Sequence, residues 1–166
     1  TLFRSTNSFR YARSTPASHQ IAAEAISLGV NPEEVYQNIY SSKELSHIHL
    51  LGKVLQGTKV SKSGKLAWME IKADQRKAHK ASADDTMAFL NYLLLIKDAE
   101  VICLFREEDD GQTRVSIKSK GRIVINQVAM ELGGGGHEYA AGLALDAPFD
   151  QVIHTVTSRL ETLINT

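Results

Sequence analysis

Apolar residues along the chain recur at helical spacing three times before they begin to alternate as in strands. Thr15-Pro16 supplies a cap and a proline at the first helical position; Ile21, Ala22, Ala25 and Ile26 then share a face until Gly29 stops the helix. Asn31-Pro32-Glu33-Glu34 repeats the start signal, with Val35, Tyr36, Ile39 and Tyr40 as the apolar face. Ser42 is expected to cap a third helix, with Leu45, Ile48, Leu51 and Leu55 inward and Gly57 as its stop. These helices predict a helical linker over residues 1–57.

From residue 58 the period changes. Residues 58–61 and 66–71 flank Ser63-Gly64 and read as a β-hairpin. A polar stretch, 72–85, leads to a helix expected over 84–97, capped by Asp84 or Asp85 and carrying Phe89, Leu90, Leu93 and Leu94. The near-continuous apolar run 100–106 predicts a core strand. Asp110-Gly111 marks a hairpin turn, and 113–119 is the partner strand. A short helix at 125–132, a strand at 142–145 and a last helix at 148–164 follow; Phe149, Val152, Ile153, Val156, Leu160 and Leu163 of the last are spaced to dock on a sheet. The expected fold class is α/β, a mixed β-sheet with helices packed on it over 58–166, preceded by the helical linker.

One stretch fits neither period: Gly133-Gly134-Gly135-Gly136-His137-Glu138-Tyr139-Ala140-Ala141-Gly142. Glycine inside a helix or strand costs about 0.5–1 kcal/mol relative to alanine, so four in a row point to sharply turning backbone or to close approach by another group. Their unshielded N–H groups would make an anion nest, for phosphate above all. His137 adds a donor that can carry charge near neutral pH. Ala140, Ala141 and Gly142 keep the next segment thin. The alternative is a tight turn whose small residues serve packing.

Strand 113–119 is the second informative stretch. Alternation sends Val115, Ile117 and Ser119 to one side and Arg114, Ser116 and Lys118 to the other, with Lys120 and Arg122 continuing the row. A solvated outer face explains such a row equally. The glycine run close by in sequence allows both to converge on one phosphate-bearing ligand, with charge from Lys118 and hydrogen bonds from Ser116 and Ser119. Arg106, ending its strand, reaches the same site or pairs with Glu107, Glu108 or Asp109.

Composition narrows the setting. Lys and Arg number 19 and so do Asp and Glu, so any anion site is a local patch and not an overall field. The single cysteine, Cys103, lies in an apolar run and reads as a buried strand residue. No apolar run is long enough to span a membrane, and a reducing, cytoplasmic setting is expected. His47 and His49 stand two apart, on different faces of a helix, and no cluster has the look of a metal site. The opening residues lack Met and are expected to begin partway through a longer protein.

Val115-Ser116-Ile117-Lys118-Ser119-Lys120 together with the glycine motif resembles the DHHA1 domain of the DHH phosphoesterases. The likeness is closer to the bifunctional oligoribonuclease and 3′-phosphoadenosine-5′-phosphate phosphatase group, also called exopolyphosphatase-related proteins. Ser8-Phe9-Arg10-Tyr11, Ser14-Thr15-Pro16, Leu104-Phe105-Arg106-Glu107 and Ile125-Asn126 extend it over essentially the whole chain. The resemblance implies that 1–57 comprises the end of a DHH domain and the linker, and that 58–166 is the substrate-binding domain. It implies two Mn²⁺ ions in a DHH domain outside these residues, no cofactor within them, and no hydrolysis by this chain alone. Gly134, Gly135, Gly136 and His137 would bind the terminal phosphate, assisted by Lys118, Ser116 and Ser119. Lys118 stands where the family often has Arg, keeping the charge but losing the bidentate fork.

The expected partners are short RNA oligonucleotides or adenosine 3′,5′-bisphosphate-type nucleotides and the N-terminal DHH domain, with no membrane; a homodimer is left open. A stand-alone nucleotide- or RNA-binding module without hydrolytic activity is the alternative function, and a structural or dimerisation domain a third. DHHA1-like domains also occur in alanyl-tRNA synthetases, so the motif does not settle the substrate class.

Overall fold

The computed structural model of the chain describes residues 6, 8–9, 14–41 and 43–166. Two compact units divide it, one up to Lys43 and one from Glu44 to Thr166. Ser42 and most of the first thirteen positions, Arg10 and Tyr11 among them, lie outside the described residues.

The first unit carries α1 (Pro16–Ser27) and α2 (Pro32–Tyr40). Both begin where local chemistry predicts. The Ser18 N–H donates to the Thr15 hydroxyl while the Thr15 N–H donates to Ser18 Oγ, and Asn31 accepts from the Glu33 N–H at 2.9 Å. Each cap satisfies a donor that the helix cannot.

The second unit opens with α3 (Leu45–Gln56), where Glu44 occupies the cap position without a side-chain cap bond. Its inward face is the expected one only in part. Leu51 and Leu55 pack half-buried against the core of Ala67, Met69 and Ile71, with Leu50 and Val54 buried between them, whereas Leu45 and Ile48 are exposed. The first turn of the helix runs past the sheet, so only its later apolar residues are covered. The compact unit with the sheet therefore includes α3 and starts at Glu44, ahead of the 57/58 boundary drawn from the sequence.

Six strands follow: β1 (Lys59–Val60), β2 (Leu66–Ile71), β3 (Val101–Glu107), β4 (Thr113–Ser119), β5 (Gly135–His137) and β6 (Ala140–Leu145). They form one sheet in the order β1-β2-β3-β4-β6-β5. Only β2 and β3 pair in parallel, and parallel neighbours need a crossover. The crossover holds α4 (Ala73–Ala78), α5 (Ala83–Met87) and α6 (Leu90–Leu93).

Two expectations fail in this crossover. The polar stretch contains a short helix, α4, and the single helix expected at 84–97 is two short ones. Ser82, not Asp84 or Asp85, caps α5: its hydroxyl accepts from the Asp85 N–H, and the Asp85 carboxylate accepts from the Ser82 N–H at 2.9 Å. Asp85 is thus the third helical residue of a capping box; the Asp84 side chain lies outside the described residues. Phe89, Leu90 and Leu93 of the expected apolar face are buried.

Helices α7 (Asn126–Glu131) and α8 (Phe149–Ile164) complete the unit. They cover one face of the sheet, where Cys103, Phe105, Val115, Ile117 and Leu143 meet Val128, Val152, Val156 and Leu160. The opposite face carries Ile102 and Leu104, which pack under α3 and α6. Central strand β3 is buried from Val101 to Arg106, as expected for a strand covered on both faces. Burial lightens toward β6, which is mostly half-buried or exposed. No helix among the described residues is long and apolar enough to cross a membrane.

Candidate functional site

Cross-strand partners send their side chains to the same side of a sheet. Lys118 lies opposite Ala140 on β6, and Ala140 opposite His137 on β5. Ser116 lies opposite Gly142, and Gly142 opposite Gly135. Arg114 lies opposite Ala144 on one flank and Arg106 on the other. All of these residues face the side that carries Ile102 and Leu104. Strands are spaced about 4.8 Å apart, so the Lys118 and His137 backbones stand about 10 Å apart across β6.

Within this unit no helix lies across the face of β4, β6 and β5. Helix α6 packs on β2 and β3, and α5 and α6 form a wall along the near flank of β4. Ser116 Oγ stands 3.5 Å from Met87 Sδ. The Lys118 ammonium donates to Asn91 Oδ1 at 2.9 Å. Lys120 turns instead to the Ile96 and Lys97 carbonyls, and Arg122 to Glu100 at 2.9 Å. Beyond the wall the floor is Ala140, Gly142, Ala144 and Gly135, with nothing larger than a methyl group. In the sequence Asn91 shows only as a lone amide inside the apolar run 89–95.

The four glycines divide their tasks. Gly133 takes φ +80° and ends α7, its N–H donating to Met130 O while the Gly134 N–H donates to Ala129 O. This is a Schellman closure, and it engages the Gly134 amide expected to meet phosphate. A side chain at Gly134 would collide with Gly142 O and Leu143, and one at Gly136 (φ +144°) would lie 2.5 Å from Ala140 O and Ala141 Cα. Gly135 alone of the three has open space where a Cβ would stand. The run is therefore a helix stop followed by an edge strand, not a free loop. As the edge, β5 turns alternate backbone amides away from β6.

The hairpin end next to His137 is held by main chain. The Tyr139 carbonyl accepts from the Ser119 N–H at 2.9 Å, and the Glu138 carbonyl accepts from the Ile125 N–H at 2.8 Å. His137 itself is exposed.

Other expected site residues lie apart. Ser119 is on the opposite face, where its hydroxyl accepts from the Gly121 and Ile123 N–H groups; Ala141 also packs there, against the α7–α8 core. Arg106 is buried and donates to Glu108 through Nε and Nη2 at 2.9 and 2.6 Å, and through Nη1 to Thr86. A shallow, open cleft lined by Arg106, Glu108, Asp109, Asp110 and Arg114 sits at this end of the row. Its acids answer its arginines, so it favours anions less than the uncovered floor beside Lys118. Among the described residues no group of three or more His, Cys, Asp or Glu side chains could hold a metal ion. The described residues thus do not fit a manganese site.

The DHHA1 domain family matches residues 63–165. The chain is 29% identical over 160 residues to the bifunctional oligoribonuclease and PAP phosphatase NrnA of Thermus thermophilus, covering 93% of this chain and 47% of the relative. It is 31% identical over 140 residues to the Bacillus subtilis protein of the same name, covering 84% and 44%. The chain therefore spans about half the length of these curated relatives. An exopolyphosphatase-related protein from Bacteroides fragilis superposes with a TM-score of 0.90 at 25% identity, over 97% of this chain and 47% of that one. The pGpG-specific phosphodiesterase PggH of Vibrio cholerae has the same fold, with a TM-score of 0.56 at 13% identity over 92% and 52%. With its mixed six-stranded sheet, its glycine-rich edge hairpin and a family match across most of its length, the chain belongs to the DHHA1 domain family.

Proposed function

We propose that the uncovered face of β4, β6 and β5 holds the phosphate of a short oligoribonucleotide, or of a nucleotide such as adenosine 3′,5′-bisphosphate, as the substrate-binding part of a DHH-family phosphoesterase. The observation that carries this reading is the register that sets Lys118, Ser116, Gly135 and His137 on one face over a floor of glycine and alanine. Lys118 supplies charge, Ser116 a hydroxyl, and His137 a ring that donates to phosphate or stacks on a base. The outward amides of β5 add neutral donors. The activities named for the two NrnA relatives support the nucleotide class. Hydrolysis, and the manganese it would use, belong in this reading to a DHH domain outside these residues.

Calorimetric titration of the chain with 5′-phosphorylated diadenylate, and a hydrolysis assay with added Mn²⁺, test the proposal. Binding without turnover is expected. No binding would remove the phosphate site, and turnover would overturn the division of labour.

A further inference from the structure

The Lys118–Asn91 contact has a chemical asymmetry. A lysine ammonium has three donors and no acceptor, so the amide atom it meets at 2.9 Å must be the oxygen. That fixes the amide rotamer and leaves Asn91 Nδ2, a donor, as the other arm of the same group. Asn91 is also held in place. It lies on α6 between Leu90 and Leu93, both buried in the core under the sheet, and its own N–H donates to Ala88 O at 3.1 Å. The amide is half-buried at the edge of the open floor, beside the charge that floor offers.

We propose, resting on the function above, that Asn91 is a second phosphate-binding residue that works as one unit with Lys118. The pair presents an ammonium and an amide N–H side by side, so two donors from two residues meet two oxygens of one phosphate group. Asn91 Oδ1 also restrains the lysine, whose flexible stem would otherwise lose conformational entropy on binding. A terminal phosphate carries a charge of about −1.5 to −2 near neutral pH where an internal diester carries one, so it gains more from an ammonium with an amide donor beside it. The unit therefore selects ligands ending in a phosphate monoester.

Affinities for 5′-phosphorylated diadenylate and for its dephosphorylated counterpart, measured on the 166-residue chain and its variants, test this. Asn91→Ala is expected to weaken binding of the phosphorylated ligand about tenfold, as for one hydrogen bond to a charged group, and to leave the dephosphorylated ligand unaffected. Asn91→Asp, which keeps the size but places a carboxylate against the phosphate, should weaken it further. Lys118→Arg carries two donors itself and should restore affinity in the Asn91→Ala background. A merely structural role for Asn91 would move both ligands alike and would show no rescue by arginine. Unchanged affinity in Asn91→Ala and Asn91→Asp, with a clear loss in Lys118→Ala, overturns the role of Asn91 and leaves the phosphate site standing. No preference for the phosphorylated ligand in the unsubstituted chain overturns both.

Discussion

Lys118 and His137 face the same residue, Ala140, from opposite flanks of β6. They come from strands that share no pairing with each other, and only β6 fixes their spacing. A cation and an imidazole thus rise from backbones about 10 Å apart, with only the exposed methyl group of Ala140 between them.

His137→Ala tests the far wall of that groove. The side chain is exposed and the turn beside it is held by carbonyl groups, so the melting temperature should stay within a degree or two, as for ordinary surface substitutions. Affinity for 5′-phosphorylated diadenylate should fall at least about fivefold, the loss of one hydrogen bond to phosphate. Titration and a thermal melt on the same sample separate the two effects.

The glycines should respond individually. Gly135→Ala meets open space without a left-handed φ, so stability should hold while the new methyl group crowds the floor and weakens the ligand. Gly136→Ala forces a Cβ onto Ala140 O and Ala141 Cα at φ +144°, and should destabilise by about 2–3 kcal/mol. Denaturant titration of both variants distinguishes a packing glycine from a ligand-facing one.

Glu108 joins three arginines. Its carboxylate accepts from Arg106 at 2.6 Å and lies 3.5 Å from Arg114 and 3.7 Å from Arg76. Glu108→Ala leaves the buried Arg106 without that carboxylate, and removal of one partner from such a pair costs about 3 kcal/mol. The melting temperature should drop by about 6–12 °C. Phosphate affinity should change far less than in Lys118→Ala, because this cluster lies at the other end of the row.

Cys103 is buried in β3, and burial pushes its thiol above the ordinary value of 9.0 because the thiolate would lose its water. The native chain at pH 8 should resist alkylation by iodoacetamide and react once denatured. A raised folded value means that stability is unaffected below the unfolded thiol's titration. It declines as the pH rises through and beyond that value. Rapid labelling of the native chain would contradict this burial.

Features carried by a few neighbouring residues were legible in advance. Thr15-Pro16 and Asn31-Pro32 announced their helices because capping is settled within one turn, and β4 matched its predicted bounds because its alternation is clean. The sequence offers Asp84 or Asp85 as the cap of α5, whereas Ser82 is the cap and Asp85 its reciprocal partner three residues later. Periodicity puts Leu45 and Ile48 inward with Leu51 and Leu55, but only the last two pack on the core, because the sheet decides how much of the α3 face is covered. β5 was hidden because glycine has no strand propensity; its pairing with β6 comes from the return of the chain. For the site, alternation alone placed Lys118 and Ser116 together and set Ser119 apart. It could not bring His137 beside them, because that depends on the long-range register of β4 with β6. Asn91 comes from the crossover, far away in sequence.

The carbonyls that hold the 138–139 turn have a consequence for how this protein tolerates change. Carbonyl oxygens belong to every residue type, so Glu138 and Tyr139 are open to replacement without displacing the imidazole next to them. The vulnerable positions are 119 and 125, which send no side chain to the ligand face. There proline alone among the twenty residues deletes the N–H that anchors the turn. A substitution scan should therefore find proline at Ser119 and Ile125 as damaging to the His137 turn as a change of His137 itself, while side-chain replacements at Glu138 and Tyr139 leave the turn in place.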